Sequence, residues 1–247
     1  MRGLMLLRGL SFRFGTQFST EVGKPWSVVP QKKACQSHID FIEYVKNNHN
    51  INLDLAIDTF STSYDYVLKS YYDNYKPYYN FINKLDPGNP TAFNRALYNI
   101  VDKLSDYDFL IISRNDMIFK EKLSEVFYAP EDEIKYTFVL QYPIRKLTVR
   151  YPEISDQIPM AGNDFLYFPK KYFHLLEVFK KSKGDNHDFI MNILDIDKDA
   201  KVTPYINTYH DSDPAKDWNP LYKFVGRFEI PQDKMLSNPN LKYPDDF

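Results

Sequence analysis

The segment Asp106–Lys120, DYDFLIISRNDMIFK, constrains the fold more than any other. Phe109, Leu110, Ile111 and Ile112, flanked by Tyr107, form a short apolar run that stops at Ser113 and the polar triplet Arg114-Asn115-Asp116. Such a run, with polar residues only at its ends, is the pattern of a strand buried on both faces. Strands of that kind belong to sheets covered by helices, and in open sheets ligands bind just beyond the carboxyl ends of the strands. A cation, an amide and a carboxylate delivered to that edge can grip a phosphate and a metal together.

The rest of the chain supplies partners for that strand. Residues 3–8, GLMLLR, read as a first strand ended by Gly9, and as part of the fold rather than a targeting peptide. Arg8 breaks the apolar run too early for a secretory signal. Residues 9–30 hold three glycines and two prolines with no period and read as a long loop of the functional kind. Ala34, His38, Phe41, Ile42 and Val45 share one helical face, with His38 a core-edge or surface residue. Ile51, Leu53, Leu55 and Ile57 alternate as a second strand, which ends in Asp58-Thr59. Helices follow over Tyr64–Tyr75 and, capped by Thr91 beyond the turn-rich KLDPGNP, over Phe93–Leu104.

After the triplet the spacing predicts a helix over Phe119–Phe127 and strands over Ile134–Leu140 and Lys146–Arg150. The turn Gly162-Asn163-Asp164 leads into a strand over Phe165–Phe168, and Pro169 suits the first position of a helix running to Ser182. A helix through Phe189–Leu194 and a strand over Val202–Ile206 come next, and from Tyr209 the Pro-, Asp- and Asn-rich chain is expected to run over the surface. The expected fold class is α/β: one Rossmann-like domain with a mainly parallel sheet, spanning residues 1–210, and an irregular extension at 211–247 packed on it.

Composition narrows the function. A net charge of −2 lacks the basic balance of a nucleic-acid binder, so no nucleic-acid partner is expected. No segment approaches the length of a membrane span, and the single cysteine, Cys35, fits a reducing compartment, so a cytoplasmic protein is expected. Aromatic residues reach 17%, with 20 Tyr and 19 Phe, which serves either a Tyr-rich core or stacking platforms for sugars and bases. Walker A, G-x-G-x-x-G, G-x-S-x-G and H-E-x-x-H patterns are all missing.

What remains is polar groups at strand ends: Arg8-Gly9, Asp58-Thr59 and Arg114-Asn115-Asp116. In a parallel sheet these lie on one edge and suit a nucleotide diphosphate. The plain alternative is that Asp58 and Asp116 cap helices while Arg114 pairs with an acid.

With these residues in view, the chain resembles the small GT-A glycosyltransferases of bacterial polysaccharide loci and large DNA viruses. The resemblance rests on a first strand ending L-R-G, a second ending D-T-F, a helix leading to F-L-I-I-S-R-N-D, and a later G-N-D-F-L-Y-F. It covers about residues 3–195. It implies a sugar-nucleotide donor (UDP- or GDP-sugar), a glycan acceptor, host cytoplasm if the source is viral, and a divalent cation, Mn2+ or Mg2+. Asp116 would be the metal ligand, although the first acid of the family's D-x-D motif is Arg114 here, which then does part of the cation's work. His210 would be a late ligand, and Arg8, Gly9, Asp58, Arg114 and Asn115 would hold the nucleotide-sugar. Asp164 is the first candidate for the catalytic base and Asp188 the second. Two other readings stay open. One is a binding module whose contact surface is Tyr71, Tyr72, Tyr75, Tyr78 and Tyr79; the other is a nucleotidyltransferase.

Overall fold

The computed structural model describes residues 1–14, 21–82, 92–137, 139–140, 160–161, 164–176, 189–205, 209–210 and 221–224. Seven strands form the central sheet: β1 (Arg2–Gly9), β2 (Asn52–Phe60), β3 (Tyr78–Ile82), β4 (Phe109–Arg114), β5 (Ile134–Tyr136), β6 (Phe165–Pro169) and β7 (Val202–Pro204). They lie in the order β7-β5-β6-β4-β1-β2-β3. All neighbours are parallel except β6, which runs antiparallel to both β4 and β5.

Alternation within the central strands explains why their sequences are apolar throughout. Leu4, Leu6, Leu110 and Ile112 point to one face, where they meet Ala96, Leu97 and Ile100 of helix α3 (Ala92–Ile100). Met5, Leu7, Phe109 and Ile111 point to the other, against α1 (Val28–His49) and α2 (Asp65–Tyr72). A sheet buried on both faces needs apolar residues at both parities. Packing at β1 is close: a Cβ on Gly3 would stand 2.2 Å from Phe109 Cζ and 2.8 Å from Leu53 Cδ2.

The expected elements are largely present, with four corrections. The tyrosine-rich segment after Pro77 forms β3, a parallel edge strand, where no strand was expected. Met117–Phe119 is a short strand, and the helix there, α4, covers only Glu121–Val126. Pro169 closes β6 and leads into a 3₁₀ turn (Lys170–Tyr172) rather than opening an α-helix. Residues 221–224 do not run over the surface: Tyr222–Phe224 pairs antiparallel with Met117–Phe119, and Leu221 and Tyr222 are buried. Thr91, KLDPGNP and Lys146–Arg150 lie outside the described residues. No helix among the described residues is long and apolar enough to cross a membrane.

Among the described residues many of the aromatic side chains serve the core. Phe41 packs edge-on against Phe119, Phe127 and Phe165, an arrangement worth about 0.5–1.5 kcal/mol per pair beyond area burial. Tyr72 is buried, Tyr75 bonds Glu43, and Tyr79 stacks on Phe81, so of the five tyrosines proposed as a contact surface only Tyr78 is exposed.

His38, expected at the core edge or the surface, is wholly buried, with Nδ1 2.7 Å from the Tyr72 hydroxyl. Burial lowers its pKa from 6.5 to about 3, against weaker opposing effects of the Met117 backbone and Asp116. The folded protein thus keeps the imidazole neutral while the unfolded chain protonates. That contribution to stability is complete above pH 6.5 and is lost as pH falls toward 3, at about 1.4 kcal/mol per unit. Urea unfolding of the wild type and His38→Phe from neutral to about pH 5 is expected to show a shallower pH slope in the variant. Equal slopes would assign the acid sensitivity to other groups.

Candidate active site

Register alone gathers the expected strand ends. Arg8 on β1 lies opposite Asp58 on β2 and Arg114 on β4, so the three side chains leave one face of the sheet in a row. Gly9, at φ +92°, turns the chain away just past that row, in a left-handed conformation that costs glycine little.

Asn115 then straps the ends together. Its backbone N–H donates to the Arg8 carbonyl at 2.9 Å, and its side-chain amide donates to the Gly9 and Asp58 carbonyls, both at 3.3 Å. Its own carbonyl accepts from Gln31 Nε2 at 2.9 Å, while Gln31 Oε1 accepts from the Phe12 N–H at 2.8 Å. Asn115 is 1% exposed. With its side-chain nitrogen donating to two backbone carbonyls, Asn115 braces the strand ends. Gln31, on the first turns of α1, went unnoticed in the sequence, where one glutamine in a helix carries no signal.

Asp58 is likewise turned to another task. Its Oδ1 accepts from Arg95 Nε at 3.2 Å and from the terminal nitrogen NH2 at 2.7 Å; its Oδ2 accepts from Asn80 at 2.5 Å and Asn99 at 2.7 Å. Four donors from α3 and β3 thus saturate a carboxylate whose side chain is 1% exposed. A group this fully engaged ties β2 to its neighbours. Arg95 and Asn99 sit four apart on α3, one helical face, and that spacing was the available signal.

The remaining charges form one cluster. Arg114 grips Asp116 with a parallel fork, Nε to Oδ1 at 2.8 Å and NH2 to Oδ2 at 2.7 Å, and its NH1 lies 3.6 Å from Asp164 Oδ1. Asp164 also accepts from the Tyr222 hydroxyl at 3.0 Å, and its backbone carbonyl accepts from Ser113 Oγ at 3.0 Å. Burial would lower the Arg114 pKa, but Asp116 and Asp164 outweigh it and hold the guanidinium firmly charged. Arg8 is 7% exposed. Burial and then the neighbouring Arg114 bring its pKa down to about 10, only partly offset by Asp164 and Asp116. Tyr222, buried beside Asp164, has its pKa raised well above the ordinary value, so it stays a donor. It was missed because it lies in a stretch read as surface; the short apolar run Leu221-Tyr222 was its only mark.

Thus Arg8, Arg114, Asp116 and Asp164 come together, and Tyr222 joins them. Asp188 lies outside the described residues, and His210 is described only in its backbone, as part of the strand Tyr209–His210 paired with Val139–Leu140.

The divalent cation implied by the sequence resemblance can be tested against this donor set. Both Asp116 oxygens already carry Arg114, and no group of three or more His, Cys, Asp or Glu side chains gathers among the described residues. A dication on Asp116 would have to share that carboxylate with the Arg114 guanidinium, and the two positive charges would repel. The described residues, as they stand, do not fit a divalent ion.

The sequence matches no described protein family, and no curated protein is significantly similar to it. Solved structures do share the architecture. The crystal structure of glucosyl-3-phosphoglycerate synthase from Mycobacterium tuberculosis in complex with Mn2+, uridine diphosphate and phosphoglyceric acid aligns with a TM-score of 0.52 at 12% identity, over 95% of this chain and 73% of the other. A second crystal structure of the M. tuberculosis synthase gives 0.50 at 12% identity, over 86% and 73%. At such identities the likeness is one of fold. The chain has the GT-A fold of glycosyltransferases, with its charged cluster at the carboxyl ends of β1 and β4.

Proposed function

We propose that the chain is a glycosyltransferase that moves a sugar from a nucleoside-diphosphate sugar to a hydroxyl of a glycan or glycoprotein acceptor. The observation that carries this reading is the cluster at the carboxyl edge of a GT-A sheet, where Arg8 and Arg114 are register partners and Arg114 pairs with both Asp116 and Asp164. The M. tuberculosis synthase that shares the fold was crystallised with uridine diphosphate and Mn2+.

The chemistry asks for positive charge where the departing diphosphate develops negative charge. Arg8 and Arg114 supply it, since planar guanidinium groups bind phosphate oxygens in pairs. In this reading Asp116 holds the Arg114 fork in orientation. Asp164 is the base that takes the proton of the acceptor hydroxyl, and Tyr222 fixes its carboxylate through Oδ2.

The test is incubation of the protein with a broad panel of sugar nucleotides. A UDP- or GDP-sugar is expected to raise the melting temperature and to release its nucleoside diphosphate slowly by hydrolysis. Silence across the whole panel in both readouts would sink the proposal, and release of pyrophosphate would favour a nucleotidyltransferase.

A further inference from the structure

Two chain segments leave the charged edge of the sheet side by side, and one buried side chain joins them. Arg8 and Arg114 are register partners on β1 and β4. The chain beyond Arg8 runs through Gly9 to Phe12, and the chain beyond Arg114 runs through Asn115 to Asp116. Gln31 of α1, 1% exposed, binds both: its Oε1 accepts from the Phe12 N–H at 2.8 Å and its Nε2 donates to the Asn115 carbonyl at 2.9 Å.

The bond to Phe12 falls where the backbone needs support. Phe12 has φ +50° and is wholly buried, and an L residue keeps a left-handed conformation only where its surroundings hold it. The bond to Asn115 falls beside Asp116, whose carboxylate carries the Arg114 fork. The same helix holds the far end of that segment, since Ser37 Oγ accepts from the Phe119 N–H at 2.9 Å. An amide offers an acceptor and a donor from one planar group; a carboxylate has no donor, and an apolar side chain has neither.

Resting on the glycosyltransferase reading, we propose that Gln31 is a positioning residue of the reaction. It sets the spacing of the chain exits from β1 and β4 and, through Asn115 and Asp116, the aim of the Arg114 guanidinium at the departing diphosphate. The β1–β4 ladder and the bonds from Asn115 to the Arg8, Gly9 and Asp58 carbonyls do not involve Gln31. The sheet edge therefore outlasts its loss, while the aim of the fork does not.

The experiment measures hydrolysis of a broad panel of UDP- and GDP-sugars by the wild type, Gln31→Met and Gln31→Glu, well below each melting temperature and per mole of folded protein. Gln31→Met is expected to lower kcat about ten- to a hundredfold, the scale of a misplacement of up to about 1 Å, with donor KM within about twofold. Gln31→Glu supplies a second readout. Near about pH 8 its carboxylate sets an acceptor against the Asn115 carbonyl, and kcat falls as in Gln31→Met. As pH falls the buried carboxyl takes up a proton and its O–H donates to that carbonyl. The ratio of its kcat to that of the wild type at the same pH is then expected to rise toward parity. Where Gln31→Met does not fold, this ratio decides alone. Wild-type kcat in Gln31→Met, a raised donor KM with kcat unchanged, or a Gln31→Glu ratio that does not move with pH overturns the inference and leaves the glycosyltransferase reading intact. A lowered melting temperature with kcat unchanged below it assigns Gln31 to the fold alone and overturns it too. Absence of hydrolysis by the wild type across the panel overturns both.

Discussion

Replacing Asp58 by alanine is expected to destabilise the protein by about 3–5 kcal/mol, the usual cost of removing one partner from a buried ion pair. The size follows from what is stranded. Arg95 donates twice to Asp58 and its side chain is 15% exposed, while Asn80 and Asn99 each spend a side-chain donor on the other oxygen. Removing the carboxylate leaves a cation and two amides poorly solvated at the junction of β2, β3 and α3. In a chain of 247 residues such a loss lowers the melting temperature by about 10 °C. Urea denaturation with an unchanged m-value is the check. The double variant Asp58→Leu, Arg95→Leu is expected to recover much of the loss, since an apolar pair needs no counter-charge. A deficit below about 1 kcal/mol in Asp58→Ala would show that water reaches Arg95 readily and that the network is peripheral.

This network also shows how far the sequence could be read. The alternation in Asn52–Phe60 placed Asp58 at a strand end, and the apolar run before Arg114 placed that residue likewise; both placements hold in the register with Arg8. Hydrophobic patterning is local, and strands buried on both faces announce themselves. Which way a polar group at the strand end turns is not local. Asp58 is taken by donors 22, 37 and 41 residues further on, and Asn115 by carbonyls 106 and 57 residues earlier. Nothing in either segment alone distinguishes a saturated carboxylate from one aimed at a ligand. The plain reading in which Arg114 pairs with an acid proved right, and its partner is the neighbour two residues on. Strand β3 escaped notice because its tyrosines continue the aromatic run of α2, and an edge strand half-open to solvent has no strict alternation to detect. Tyr222 escaped because a three-residue strand among prolines and acids has too little pattern to rise above a loop.

On the proposed function, Asp164→Asn is the substitution with the largest effect on turnover. A positioned base contributes about 10²–10⁴ in rate, and an amide of the same shape cannot accept the proton. The variant is expected to fold, because Tyr222 can donate to the new amide oxygen as it does to Oδ2 now, and the Ser113 bond goes to the backbone carbonyl. Its affinity for the nucleoside diphosphate is expected to hold or rise, since Arg114 loses the charge of the Asp164 carboxylate and its own charge is then more available to phosphate. Tyr222→Phe makes the companion case. Burial and the Asp164 carboxylate keep that phenol protonated, so it acts only as a donor that orients the carboxylate. Its loss is expected to lower kcat by about tenfold with little change in donor KM. Turnover in Asp164→Asn within a factor of about ten of wild type would remove Asp164 from the role of base.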